Sequence, residues 1–208
     1  MNKIYKFLFV IPIIVSGCKI TESDNKLIGQ SIDNLNMNIF SKEGEKLFAI
    51  KSPNSIYNKE FNTFKLKETT INIYKDNKIE YVVSSDKSQL SKNNKLLELN
   101  GNVFLKSLIQ QGEKLYANSF KWNILNSEYL LVGNVKYENN SISLKSNKAI
   151  LNKDNNIIEF FNPVKYKIKD NNNNKAFEIN SENAYYNINT KSVSFRSKED
   201  RVRSKIYF

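Results

Sequence analysis

From Asn36 to the C-terminus the apolar positions recur with a period of two. The clearest run is Val164-Lys165-Tyr166-Lys167-Ile168-Lys169, where apolar residues and lysines alternate strictly. Phe64/Leu66, Ile71/Ile73, Tyr81/Val83, Leu97/Leu99, Val103/Leu105 and Ile142/Leu144 follow the same rule. Successive side chains of a strand point to opposite faces, so the pattern predicts antiparallel strands with one buried and one wet face. Turn chemistry separates the runs, as at Lys42-Glu43-Gly44-Glu45, Lys75-Asp76-Asn77, Asn139-Asn140 and Asn189-Thr190-Lys191. Each run is short, about four to eight residues, and roughly twelve to sixteen strands are expected. No segment sustains an i, i+3, i+4 period; only Asn25–Leu35 admits a short helix.

The strands recur in a larger unit. Leu99-Asn100-Gly101-Asn102-Val103 is echoed by Leu131-Val132-Gly133-Asn134-Val135, and Phe160-Phe161-Asn162-Pro163-Val164 replaces Gly-Asn with Asn-Pro. Glu68-Thr69-Thr70-Ile71 is a weaker copy. Ahead of each joint lies a pair of small residues three apart, as in Ser52/Ser55, Ser85/Ser88, Ser146/Ala149 and Ser181/Ala184. Glycine or Asn-Pro at a joint lets the chain bend between two strands. A unit of about thirty residues cannot bury its own apolar face, so successive units must stack.

The N-terminus has a different pattern. Lys3 and Lys6 precede the nine apolar residues Phe7–Val15, which span only about 14 Å as a helix. That is half a bilayer core, which points to a signal peptide over residues 1–17 rather than a membrane span. It ends in Val15-Ser16-Gly17-Cys18. This order resembles the lipobox of bacterial lipoproteins, which implies that Cys18 becomes the lipidated N-terminus and that residues 18–35 tether a single domain over 36–208.

Composition narrows the chemistry. The chain has 208 residues, no histidine and one cysteine. Imidazole-based catalysis, thiol–imidazole pairs, internal disulfides and cysteine metal clusters are all excluded. No carboxylate pair and no glycine-rich phosphate loop stands out, so the chain reads as non-enzymatic, without a cofactor or metal. The 33 asparagines suit turns better than element interiors. The formal charge is +11 and falls to +9 when residues 1–17, with Lys3 and Lys6 and no acid, are removed. Its lysines are dispersed over outward positions, which with the export signal argues against nucleic-acid binding.

Ile39-Phe40, Gly44, Lys46-Leu47-Phe48, the paired small residues and the repeated Gly-Asn-Val together resemble the LptC/LptA (OstA-like) family of lipopolysaccharide-export bridge proteins. The resemblance covers Asn36 to Phe208. It implies an all-β fold, an open twisted β-jellyroll of stacked antiparallel strands, with an apolar groove for acyl chains. It also implies partners: lipopolysaccharide or a related glycolipid, an export ABC transporter and an LptA-like bridge protein joined by edge-to-edge strand pairing. The expected location is the periplasmic side of the envelope, lipid-anchored, with the inner membrane favoured over the outer. LptC proteins with an uncleaved membrane helix differ from this chain in that respect.

Alternation places Phe48, Ile50, Phe64, Leu66, Leu97, Leu99, Val103, Leu105, Leu131, Val135, Ile142, Leu144, Phe160, Val164, Tyr166 and Ile168 on inward faces. All but Leu131 and Ile142 are candidate groove residues. Periodicity alone does not separate such a groove from the dry core of a closed β-sandwich with a scaffolding or assembly role; the resemblance favours the groove. Trp122 fits either rim or core. Lys106, Lys114, Lys121, Lys136, Lys165, Lys167, Lys169 and Arg196 fall on outward positions or turns. The C-terminal segment with Arg201, Val202, Arg203, Ile206 and Phe208 is the candidate edge strand for a partner. A terminal Phe also resembles the closing strand of outer-membrane barrels, but the apolar runs are too short to span.

Overall fold

The computed structural model describes residues 29–91, 93, 95–109, 112–124, 128–152, 154–161, 163–168, 177–197 and 202–206. Cys18, Lys169, Arg201 and Phe208 lie outside them. Eight long strands come first: β1 (Gln30–Phe40), β2 (Lys46–Asn58), β3 (Thr63–Lys75), β4 (Lys78–Ser91), β5 (Leu96–Ser107), β6 (Lys114–Asn123), β7 (Glu128–Glu138) and β8 (Ile142–Asn152). Six short ones follow: β9 (Ile157–Phe161), β10 (Val164–Ile168), β11 (Phe177–Ser181), β12 (Asn183–Asn187), β13 (Val193–Arg196) and β14 (Arg203–Ile206). From β1 to β8 each strand pairs antiparallel with the next. Beyond β8 the sheet forks into β10-β11-β14 and β9-β12-β13.

Two expectations change. Residues 30–35, assigned by pattern to the tether and to a possible helix, belong to β1, where Gln30 faces Tyr57 and Asp33 faces Asn54. An eleven-residue helix would be marginal in water, whereas pairing with β2 satisfies one edge of the backbone. The strands β1–β8 are also 10–14 residues long, about twice the expected run. The repeat joint bends a continuous strand instead of ending it.

Local chemistry explains the bend. Gly101 and Asn102 have φ of 77° and 45°, and Gly133 and Asn134 have 77° and 50°, so two successive residues are left-handed. At that point strand register shifts between Asn100 and Val103, and between Val132 and Val135. A Cβ on Gly101 would come within 2.6 Å of Asp86 Oδ2, and one on Gly133 within 2.7 Å of Asn118 Nδ2. Both the dihedral and the close approach therefore call for glycine. The following asparagine bonds to the same neighbour: Asn102 Nδ2 donates to Asp86 Oδ2 (2.8 Å) and Asn134 Nδ2 to Asn118 Oδ1 (3.3 Å). On alternate strands the first small residue of each pair holds the turn of backbone. Ser52, Ser85, Ser146 and Ser181 each donate Oγ–H to the carbonyl two residues on, at 2.8, 3.2, 2.8 and 3.0 Å. At the equivalent point of the final unit Pro163 stands between β9 and β10, and the bent strand becomes two.

The bends fold the sheet into two facing layers. The first holds 46–51, 70–75, 78–84, 103–107, 114–117, 135–138 and 142–146, then β10, β11 and β14. The second holds 54–58, 63–67, 87–91, 96–100, 119–123, 128–132 and 148–152, then β9, β12 and β13. Among the described residues the sheet does not close: its ends are β1 and, on the two branches, β14 and β13, and β1 pairs with neither. Its apolar side faces in and its lysines face out, the reverse of an outer-membrane barrel. The protein is an all-β, open, twisted jellyroll.

Candidate functional site

The candidate site is the interior between the layers. Phe48, Ile50, Val103, Leu105, Val135, Leu144, Val164 and Tyr166 project into it from the first layer; Leu66, Leu97, Leu99 and Phe160 project from the second, and all twelve are buried. Phe64 is half-buried and packs against this cluster. Ile168 departs from expectation, being 41 % exposed at the last position of β10. Parity gives the side a residue faces, but cover at a strand end depends on the opposite layer.

Aromatic rings that alternation alone left unassigned carry contact across the interior. Trp122 is buried on the second layer and its ring lies 5.0 Å from that of Phe48 on the first. It also meets Tyr129 at 5.2 Å. Further along, Tyr137 and Tyr186 face each other at 4.7 Å, and Tyr166 meets Phe195 at 5.3 Å. Tyr129, Tyr137 and Tyr186 do alternate with Leu131, Val135 and Ala184, so their inward parity was available; their amphipathic character hid it.

Opposite the bend, the two layers meet at a mouth lined by turns. Asn139 Nδ2 donates to the hydroxyls of both Tyr137 and Tyr186, each at 3.4 Å. The Lys191 ammonium, on the turn after β12, donates to the buried carboxylate of Glu113, on the turn before β6. Burial raises the Tyr81, Tyr129 and Tyr137 hydroxyls well above the usual phenol range; Glu80 adds to it for Tyr81 and Tyr129, and a hydrogen bond with Tyr186 adds to it for Tyr137. The lining is therefore uncharged at its tyrosines. Gaps between the described residues inside include one of about 10 Å³ (Ile73, Tyr81, Leu105, Tyr129, Leu151) and one of about 20 Å³ (between Tyr81, Glu113, Tyr137 and Ile188). Each has room for about one water molecule. Neither of these gaps is large enough for an acyl chain.

The outer surface is polar and charged. Lys121 pairs with Glu98 (2.7 Å), Lys136 with Glu138 (2.7 Å), and both Lys165 and Lys167 with Glu178 (2.8 and 3.2 Å). The hydrogen bond from Lys165, then those from Lys167 and Asn180, hold the Glu178 carboxyl down at about 2 despite its burial. Arg196 lies over the ring of Tyr185 at 5.1 Å. Of the candidate edge, β14 pairs through Asn180↔Arg203 and Phe177↔Ile206 and is the last strand of the first layer, while Val202 is exposed. Among the described residues no group of three or more acidic or cysteine side chains could hold a metal ion.

A family profile described as lipopolysaccharide-assembly, LptC-related, matches residues 15–132, and one described as OstA-like protein matches residues 108–205. No match was found among curated proteins. The chain is similar to the crystal structure of LptH, the LptA-homologous periplasmic component of the lipopolysaccharide transport device of Pseudomonas aeruginosa, at 7 % identity and a TM-score of 0.42. That alignment covers 77 % of this chain and 94 % of LptH. With a profile spanning more than half of its length and a bent, open jellyroll built on the repeat, the chain belongs to the LptC-related family of lipopolysaccharide-assembly proteins.

Proposed function

We propose that the chain is a non-catalytic periplasmic bridge of lipopolysaccharide export, carrying the acyl chains of the glycolipid between its two layers. The observation that carries this reading is the interior itself. A continuous apolar face runs from Phe48 to Phe195 along both layers and is bounded at one side by turns instead of by backbone pairing. Burial of acyl chains against it would supply about 25 cal/mol per Å² without demanding polar geometry. The end strands β1 and β14, each with one edge unpaired among the described residues, offer backbone for edge-to-edge addition of partner jellyrolls, including an LptA-like bridge protein and the periplasmic part of an ABC transporter. Cys18 is the proposed lipid anchor, on the periplasmic side of the inner membrane. Two or more acyl chains there would hold the protein firmly. Glycolipid movement then needs no chemistry in this chain, since the transporter supplies the driving force.

A photocrosslinking residue placed at Leu99 or at Phe160 tests this, with the same residue at Lys121, on the outer face of the second layer, as reference. Glycolipid adducts at the two interior sites and none at Lys121 are expected. Adducts nowhere, in the presence of glycolipid, would overturn the carrier reading. The tight packing of the interior favours a second reading, a closed sandwich acting as an envelope scaffold, which that negative result would support.

A further inference from the structure

We propose that the outer face of the first layer holds a binding site for a phosphate monoester, centred on Lys145. The site lies outside the interior and does not rest on acyl carriage. Lys136, Lys145 and Lys165 stand directly opposite one another on β7, β8 and β10, in one cross-strand row. Directly opposed like charges oppose sheet pairing, so three in succession are an arrangement that pairing alone does not favour. Glu138 engages Lys136 and Glu178 engages Lys165, but among the described residues Lys145 makes no ion pair and is exposed.

A recess of about 530 Å³ opens at this row, lined by Asn134, Lys136, Lys145, Asn147, Lys165 and Asn180 among others. Its volume is that of a small-molecule site. Three lysines line the recess (136, 145 and 165) and Lys167 stands two positions along β10; the glutamates paired with this group, 138 and 178, lie beside the recess, which leaves two positive charges around the row. A phosphate monoester carries a charge of about −1.5 to −2 and three acceptor oxygens. Ammonium groups donate and do not accept, and the asparagine amides can turn either a donor or an acceptor to a sugar hydroxyl. Charge, donor set and size therefore match a phosphorylated sugar, whether free in solution or at the head of a lipid.

Calorimetric titration of the purified protein with glucose 1-phosphate tests the site, beside glucose and beside phosphatidylcholine vesicles with and without phosphatidic acid. Saturable one-to-one binding of glucose 1-phosphate is expected, with no binding of glucose. Lys145→Glu should weaken it about ten-fold or more, while Lys121→Ala, on the other layer, leaves it unchanged. Capture by phosphatidic acid vesicles, reversed by glucose 1-phosphate, would support the site and identify a lipid head group as its source. Soluble binding without vesicle capture would support it with a free sugar phosphate as ligand. Lys145→Gln should lose binding yet raise Tm, by up to about 4 °C, as the like charges are relieved. Absence of saturable binding at millimolar ligand, equal losses in the Lys121 and Lys145 variants, or a joint fall of binding and Tm in Lys145→Gln would overturn the proposal.

Discussion

The rings of Phe48 and Trp122 meet across the two layers, centroids 5.0 Å apart and planes tilted by 58°. Phe48 sits on β2 and Trp122 on β6, so the contact joins distant parts of the bent sheet and shuts the interior between them. Truncating either ring to alanine should cost about 3–5 kcal/mol of unfolding free energy, measured by urea denaturation. A double-mutant cycle should return a coupling of about 0.5–1.5 kcal/mol. Strict additivity would mean that the layers do not touch there in solution.

The bend makes its own prediction. Gly133 has a φ of 77° and no room for a Cβ beside Asn118. Gly133→Ala should destabilise the fold by about 1–2 kcal/mol through the left-handed backbone and the contact together. Adding Asn118→Gly should recover only the part due to contact. A neutral Gly133→Ala would contradict the account of the repeated Gly-Asn joint.

Much of this architecture was legible in the chain. Alternation placed Phe48, Leu99, Leu144 and Phe160 inward, and the spacing of Gly101 and Gly133 marked the fold line. What alternation could not give was continuity, because Gly101-Asn102 reads as a turn although the inward odd-numbered period runs through it from Leu97 to Leu105. The bonds from Asn102 to Asp86 and from Asn134 to Asn118 join residues sixteen apart on neighbouring strands, which only register reveals. The first strand was hidden for a similar reason: Ile32, Leu35, Met37 and Ile39 change parity at Asn34, which is itself left-handed. Whether the interior is open or shut depends on contacts such as Phe48 to Trp122, which are set by layer spacing and leave no local signal.

Glu178 predicts a pH dependence. Its carboxyl is held at about 2 in the folded protein, against an ordinary value of 4.5, so the folded state binds fewer protons. Its contribution is then fully present above about pH 4.5 and is lost as the pH falls through that range towards 2. Glu178→Gln should flatten the acid limb of stability over this window, followed by thermal unfolding from pH 6 to 2. An unchanged acid limb would contradict the ion pairs with Lys165 and Lys167.

At the mouth, the pairing of Lys191 with Glu113 ties a turn of one layer to a turn of the other. Lys191 itself is half-exposed, but its loss takes the ion pair from the buried Glu113 carboxylate, so it should cost about 1–3 kcal/mol of stability. In the carrier account Lys191→Ala should nonetheless speed uptake of a fluorescent acyl probe several-fold, by stopped-flow mixing, because the layers part more readily. Equal uptake rates would remove Glu113 and Lys191 from any gating role.

Trp122 is the only tryptophan of the chain and faces the interior, which makes it a reporter for the central claim. The decisive measurement is its fluorescence during titration with a glycolipid whose acyl chains carry bromine, beside the unbrominated form. Acyl chains between the layers would bring bromine against the indole, so saturable quenching by the brominated lipid alone is predicted. Binding of the lipid with no difference in Trp122 emission between the two forms would contradict carriage through the interior.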